Sequence, residues 1–286
     1  MLKSLMNTVQ CVIFALLSGH AAAETILTPP IANSNDQYCL DMLRLALGYS
    51  EKKFTIETQA LPEKTLPRVI SELESGQLQV MWTASDKNKE QQLLPVRIPL
   101  FKGMFGYRVF IINRHNQSKF DQIKTLDALR NEISFGQGRT WADTEILKAA
   151  NLNVVTTLRF AGLMHMVEAG RFDAFPRGIH EPWSELTAFS SLELAVEKNI
   201  LLVYKMPFYF FVSNSNKQLH IVIEQGLNQA IADGSFDKLF FGNEAVKNAL
   251  ANANLKGRRI FEIANPNLSV ETPVGRSELW LDVSSL

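Results

Sequence analysis

The chain has 286 residues, 46% hydrophobic and 20% charged, an ordinary globular composition that is long enough for two lobes with cores of their own. Lysine and arginine number 29 against 29 aspartate and glutamate, a formal net charge of +0 with no block of like charge. Extended disorder and nucleic-acid binding are excluded on those grounds, because phosphate recognition needs a basic face.

Residues 1–23 differ in kind from the rest. Lys3 supplies a positive start, VIFALL at 12–17 an apolar centre, and Ala21, Ala22 and Ala23 a small-residue cleavage pattern before Glu24; together these are the three parts of a secretory signal peptide. The apolar run is too short for a membrane span, and no later stretch approaches the roughly 18 apolar residues such a span needs. The expected mature protein begins at or near Glu24, soluble and periplasmic. Cys11 departs with the signal and leaves Cys39 without an internal disulfide partner. Beside Leu40, Met42 and Leu43 it reads as a buried small hydrophobe, with a reactive or intermolecular thiol as the alternative.

From Glu24 onward strands and helices alternate, which argues for a parallel α/β sheet. Residues 25–27 predict a first strand, closed by Thr28-Pro29-Pro30. Residues 38–47 predict a helix, with Leu40, Leu43 and Leu47 at helical spacing and Gly48 as its stop. Residues 54–58 predict a second strand, and Pro67 marks the next helix start. Tyr107 to Ile112, YRVFII, predicts a strand able to cross between lobes. A short helix at 126–129 and a strand at 133–135 follow. Thr140 and Asp143 then resemble a capping box ahead of Ile146, Leu147 and Ala150, before a strand at 153–156. Strands at 200–204 and 208–212 carry the chain back. Helices at 220–232 and 245–253 lead to a proline-interrupted tail expected to wrap over the first lobe.

Two stretches echo each other, ISELESGQLQVMWT at 70–83 and MHMVEAGRFDAFPR at 164–177. Aligned without a gap they share Gly76 with Gly170 and Glu74 with Glu168. Each reads as a helix, a glycine in the left-handed conformation and a short buried strand, at 78–81 and 172–175. A coincidence is the competing reading, since that order is common in α/β proteins. If the echo marks two similar lobes, Trp82-Thr83 and Pro176-Arg177 follow equivalent strands and face one shared cleft.

Candidate site residues fall at these strand ends. Gly138, Arg139 and Thr140 lie between a strand and a helix start, where free N–H groups and the helix dipole favour an anion. A plain capped turn is the alternative, and Trp141 stands where a dinucleotide fingerprint requires its third glycine. Arg177 is suited to two-point contact with a carboxylate or phosphate, or to a structural pair with Glu181 or Asp173. Trp82 can stack on a ligand or fill the core. His180-Glu181-Pro182-Trp183-Ser184 is not the two-histidine zinc motif, and neither a P-loop nor a Gly-x-Ser-x-Gly elbow is present. No metal and no cofactor is expected.

With Gly170 to Ala174, Gly138-Arg139-Thr140 and the late run Ala232-Asp233-Gly234-Ser235-Phe236-Asp237 in this order behind a signal peptide, the chain resembles the bacterial extracellular solute-binding proteins of family 3. This group includes the amino-acid-binding components of ABC importers. The resemblance implies an α/β two-lobed periplasmic-binding-protein fold of type II, with two crossing strands as hinge. It divides the chain into a signal at 1–23, a first lobe at 24–108, a second at 109–206 and a return with a C-terminal tail at 207–286. On that fold, the residues read above lead to the expectation of a monomer that captures a small polar, anionic solute through Trp82, Thr83, Gly138, Thr140, Trp141 and Arg177 without breaking a bond, with an ABC permease or a membrane sensor as partner. An enzyme on the same fold using Glu181 and His180 is the rival, and a ligand-sensing partner of a membrane receptor is a third reading. Two departures bear on the solute. Gly178 stands where amino-acid binders of the family place an acid for the ligand ammonium, and Lys87 and Lys89 are the nearest bases to the position of their carboxylate-binding arginine.

Overall fold

A computed structural model describes residues 23–60 and 64–283; apart from Ala23, the signal-peptide reading lies outside the described residues. Among them no helix is long and apolar enough to cross a membrane.

The first lobe starts with β1 (Glu24–Thr28), α1 (Ser34–Gly48) and β2 (Phe54–Thr58), the two strands paired in parallel. Asn33 starts α1 by accepting from the N–H groups of Asn35 and Asp36, which satisfies two of the helix's open donors. α2 (Leu66–Glu74), β3 (Met81–Ala84), α3 (Lys87–Gln92) and β4 (Leu94–Val96) follow. Gln79 stitches β1 to the segment entering β3: its N–H donates to Leu27 O at 2.9 Å, and its Oε1 accepts from Leu27 N–H at 2.8 Å.

The second lobe contains β5 (Tyr107–Asn113), α4 (Gln117–Asp121), α5 (Leu126–Glu132), β6 (Ser134–Gly138), α6 (Ala142–Ala149), β7 (Asn153–Thr157), α7 (Phe160–Glu168), β8 (Phe175–Gly178), α8 (Pro182–Ala188), β9 (Leu194–Val196) and β10 (Ile200–Val203). β5 pairs antiparallel with β8, β9 and β10, while β6 and β7 pair in parallel. The apolar run of β5 is explained by cover on both faces. Phe110 and Ile112 pack with Phe120, Leu129 and Phe135, whereas Ile111 packs with Leu163, Met164 and Phe175.

The chain returns through β11 (Phe208–Val212), which pairs antiparallel with both β3 and β4. α9 (Lys217–Ala232), α10 (Ser235–Gly242) and α11 (Glu244–Ala253) complete that lobe's core around Tyr38, Leu43, Phe236 and Phe240. β12 (Arg259–Glu262), absent from the sequence reading, runs parallel to β10 in the second lobe's sheet. Only after it does the tail reach the first lobe, where Leu281 N–H donates to Lys102 O at 2.8 Å. Cys39 is buried and free, as its apolar neighbours imply.

The two echoing stretches are structural equivalents. Gly76 and Gly170 close α2 and α7 with φ of 76° and 67°, and β3 and β8 each begin five residues later. Both strands start three residues after the predicted position. Leu78 and Phe172 pack beneath the preceding helix, with Val69 and Leu73 in one case and Leu163 and Val167 in the other, a helix-end contact that resembles a strand residue in sequence.

Glu72 on α2 is buried among Lys64 at 2.7 Å, Arg68 at 2.7 Å and Gln59 at 3.0 Å. Their hydrogen bonds, that of Lys64 foremost, pull its carboxyl down from 4.5 to about 2. The folded value lies below the unfolded one, so the stabilisation is complete above about pH 4.5 and is lost as pH falls toward 2. Urea unfolding should therefore find Glu72→Gln less stable than wild type at pH 7, with the gap closing by pH 2. A gap independent of pH would count against this account.

Candidate functional site

Between the lobes lies a cavity of about 490 Å³, with Thr83, Lys87 and Lys89 on the first-lobe side, Arg139, Thr140 and Trp141 on the second, and Asn267 of the tail at its rim. Thr83 reaches it because it stands on β3 near the strand's carboxyl end. Residues 139–141 reach it because they form the turn between β6 and α6. Trp141 is the N-cap of α6 and provides no side-chain hydrogen bond to the helix; the Thr144 N–H turns back to Trp141 O at 3.1 Å, which leaves the N–H groups of Ala142 and Asp143 without a side-chain cap beside the cavity.

The capping box expected from Thr140 and Asp143 does not form. Asp143 is buried and receives hydrogen bonds from Arg108 and from the Tyr204 hydroxyl, because a buried guanidinium needs a carboxylate more than an exposed helix start needs a cap. Arg108 stands on β5 with its side chain 6% exposed, reaches Glu181 at 3.4 Å and touches Met206 Sδ at 3.4 Å. Burial alone would lower its pKa, and Asp143 followed by Tyr204 and Glu181 reverses that and raises it.

Arg177 is held from behind. Its Nη2 meets Glu181 Oε1 at 2.7 Å, its Nε donates to Glu185 Oε2 at 2.9 Å, and its guanidinium lies 5.1 to 5.5 Å from the ring centres of Trp141, Phe160 and Phe175. The structural pairing with Glu181 is present, joined by Glu185. Asp173, the other candidate partner, instead binds Lys119 at 2.6 Å and the hydroxyl of Ser134 at 2.7 Å. With two carboxylates already on it, Arg177 is placed to hold Trp141 rather than to present free positive charge to the cavity.

Glu181 stays ionised although burial raises its pKa, because Arg177 and then Arg108 outweigh burial and lower it. His180 is driven the other way, to about 4, chiefly by burial, and its ring centre lies 4.6 Å from that of Phe105 with the planes tilted by 56°. Glu185 is raised, with burial outweighing Arg177.

The remaining candidates also have defined places. Trp82 is 8% exposed, packs 6.3 Å from Phe210 and donates from Nε1 to Asp36 Oδ1 at 2.9 Å. Its exposed edge borders a smaller cavity of about 160 Å³ with Pro29, Lys64 and Leu66. Gly138 has a different neighbour from the one expected: a Cβ there would lie 2.4 Å from the Trp141 ring, so the close approach that needs glycine is by the chain's own indole. Sequence reasoning missed Arg108, whose only signal was a charge inside YRVFII. It also missed Glu185 and Asn267, which carry no local signal.

No family model matches the chain, and no curated protein is a significant match. Solved structures resemble it. An ancestral arginine-binding protein bound to arginine superposes with a TM-score of 0.52 at 16% identity, over 77% of this chain and 98% of its own. The probable amino-acid ABC transporter extracellular-binding protein ytmK from Bacillus subtilis does so with 0.57 at 14%, over 79% and 99%. The fold is that of the two-lobed amino-acid-binding proteins. The ancestral amino-acid-binding protein AncCDT-1, a precursor of cyclohexadienyl dehydratase, shares it with a TM-score of 0.50 at 14% identity, over 77% and 95%. At such identities the likeness is one of architecture, and the chemistry of this chain rests on its own residues.

Proposed function

We propose that the chain is a periplasmic solute-binding protein that closes on a small polar solute bearing a carboxylate and delivers it to an ABC permease, with no bond broken. The observation that carries this reading is the uncapped start of α6 opening beside Arg139 and Thr140 onto a cavity whose opposite wall holds Thr83 and Lys87, with Lys89 paired to Asp86 beside them. Helix N–H groups, the dipole and an arginine fork all favour an anionic oxygen pair. Trp141 forms the adjoining wall, Gly138 admits its ring, Arg177 fixes it from behind, and Trp82 steadies the first-lobe wall. The fold shared with binders of arginine and other amino acids is consistent with a solute of that size. The same reading includes export by residues 1–23, lobe boundaries at 24–108, 109–206 and 207–286, and a monomeric state.

Acid–base catalysis by Glu181 and His180 is the poorer reading. Neither lines the cavity between the lobes, Glu181 is held as a carboxylate by two arginines, and burial drives His180 down to about 4, far from the neutral range in which a general base is effective.

A thermal-shift screen of amino acids and small dicarboxylates should find a stabilising solute. Calorimetry should then show that the carboxamide form of that solute binds more weakly than the acid, and that Arg139→Ala weakens the acid by at least about tenfold. Equal affinity of acid and carboxamide, or of wild type and Arg139→Ala, would overturn the carboxylate assignment.

A further inference from the structure

The segment after β12 crosses the cleft before it ends against the first lobe. Its start is fixed beside the crossing strands, where Ile263 N–H donates to Val203 O at 2.9 Å and Asn265 Nδ2 donates to Lys205 O at 2.9 Å. Asn267 then touches both lobes. Its carbonyl accepts from Lys87 N–H at 3.1 Å, at the start of α3, while its Nδ2 donates to Glu145 Oε2 at 2.9 Å, on α6. Lys87 Nζ adds a hydrogen bond to Pro266 O at 2.8 Å. Farther along, Glu271 pairs with Arg97 at 2.5 Å and Glu278 O accepts from Lys102 Nζ at 2.6 Å, both on the first lobe.

We propose that residues 263–272 form an interlobe strap and that Asn267 is its latch, the residue that sets how far the cleft opens and therefore which solutes pass its rim. Opening must separate α3 from α6, and Asn267 is bonded to each. The strap is held to the first lobe by both bonds of Lys87 and by the Arg97–Glu271 pair, but to α6 through the Asn267–Glu145 bond. That bond is the one that yields. Glu145 is exposed, so water replaces the amide when the bond breaks, and the latch is reversible. The Asn267 N–H donates to Asn265 Oδ1 at 2.9 Å, an Asx turn that aims the side chain across the cleft before any solute arrives. Because Asn267 also lines the cavity, the same residue that restrains opening narrows the entrance.

The test needs no solute, so it stands or falls apart from the carboxylate assignment. Spin labels on exposed Leu158 of the second lobe and exposed Ile221 of the first, with Cys39 buried and unlabelled, report the interlobe distance in the solute-free protein. Asn267→Ala and Glu145→Ala should each move the distribution to longer distances, with the ratio of closed to open molecules falling by about tenfold, the worth of one hydrogen bond to a charged acceptor. Glu145→Gln keeps an acceptor oxygen without the charge and should shift the distribution less than Glu145→Ala does. Wild-type distributions in both alanine variants would overturn the proposal, as would an equal shift in Glu145→Gln. Should Asn267→Ala fail to fold, Glu145→Ala, changed only on an exposed helix surface, carries the test alone.

Discussion

Arg108→Ala is expected to destabilise the protein by about 3–5 kcal/mol, the usual cost of removing one partner from a buried ion pair. The guanidinium is buried and neutralises Asp143 and Glu181, and it lies 5.5 Å from the Tyr204 ring centre. Without it, Asp143 keeps the tyrosine hydroxyl but no cationic partner among the described residues, and Glu181 depends on Arg177 and the N–H of Gly178. The penalty is that of stranded carboxylates more than of lost attraction. Arg108 Nε is itself buried without a hydrogen-bond partner, so the intact network is not an optimal one. The double variant Arg108→Met with Asp143→Asn should therefore recover much of the loss, since it removes both charges and keeps the volume. Urea unfolding of the wild type, both single variants and the double decides it. A cost below about 1 kcal/mol for Arg108→Ala would mean that the site admits water and that the charges are not truly desolvated.

The residues that form each lobe were legible because their signals are local. β2 and β11 occupy the predicted positions, and the paired glycines 76 and 170 mark both repeat units at the left-handed φ that makes glycine the natural choice there. The network behind the cleft was not legible, because it joins residues from β5, α6, β8, α8 and the β10–β11 connection, up to 98 positions apart in the case of Arg108 and Met206. Local pattern assigned each a plausible role in isolation: Asp143 as a cap, Arg177 as a ligand grip, Gly138 as a place of ligand approach. Burial changed all three. Once Arg108 is inside, Asp143 is drawn to it; once Glu181 and Glu185 surround Arg177, its charge is satisfied; once Trp141 lies over Gly138, the space above that glycine is filled. β12 was missed for a related reason. RIFE carries two charges in four residues, and its pairing with β10 supplies a strand partner that no neighbour in sequence announces.

The hinge supplies a further prediction of comparable size. Gly106→Ala should cost about 3 kcal/mol, at the upper end of what overpacking a close contact costs, and should alter the relative setting of the lobes. Gly106 ends the turn before β5, where the chain leaves the first lobe, and its carbonyl accepts from Tyr204 N–H at 3.1 Å at the point where the chain comes back. The crossing segments are so close there that a Cβ on Gly106 would lie 1.8 Å from Tyr204 O and 3.3 Å from Met206 Cβ. The nearest obstacle is backbone, which cannot rotate away as a side-chain tip could, so a methyl group must push the two crossings apart. That strain passes directly to Tyr204 and Met206, which are hydrogen-bonding neighbours of the Arg108 network. Gly242→Ala is the matched control, because nothing lies within 4 Å of the added Cβ. Denaturant unfolding should separate the two variants by more than about 2 kcal/mol, and solution scattering should show a changed interlobe profile for Gly106→Ala alone. If the two variants melt together with identical scattering, the crossings have room to spread, and close packing at Gly106 is not what holds the lobes in register.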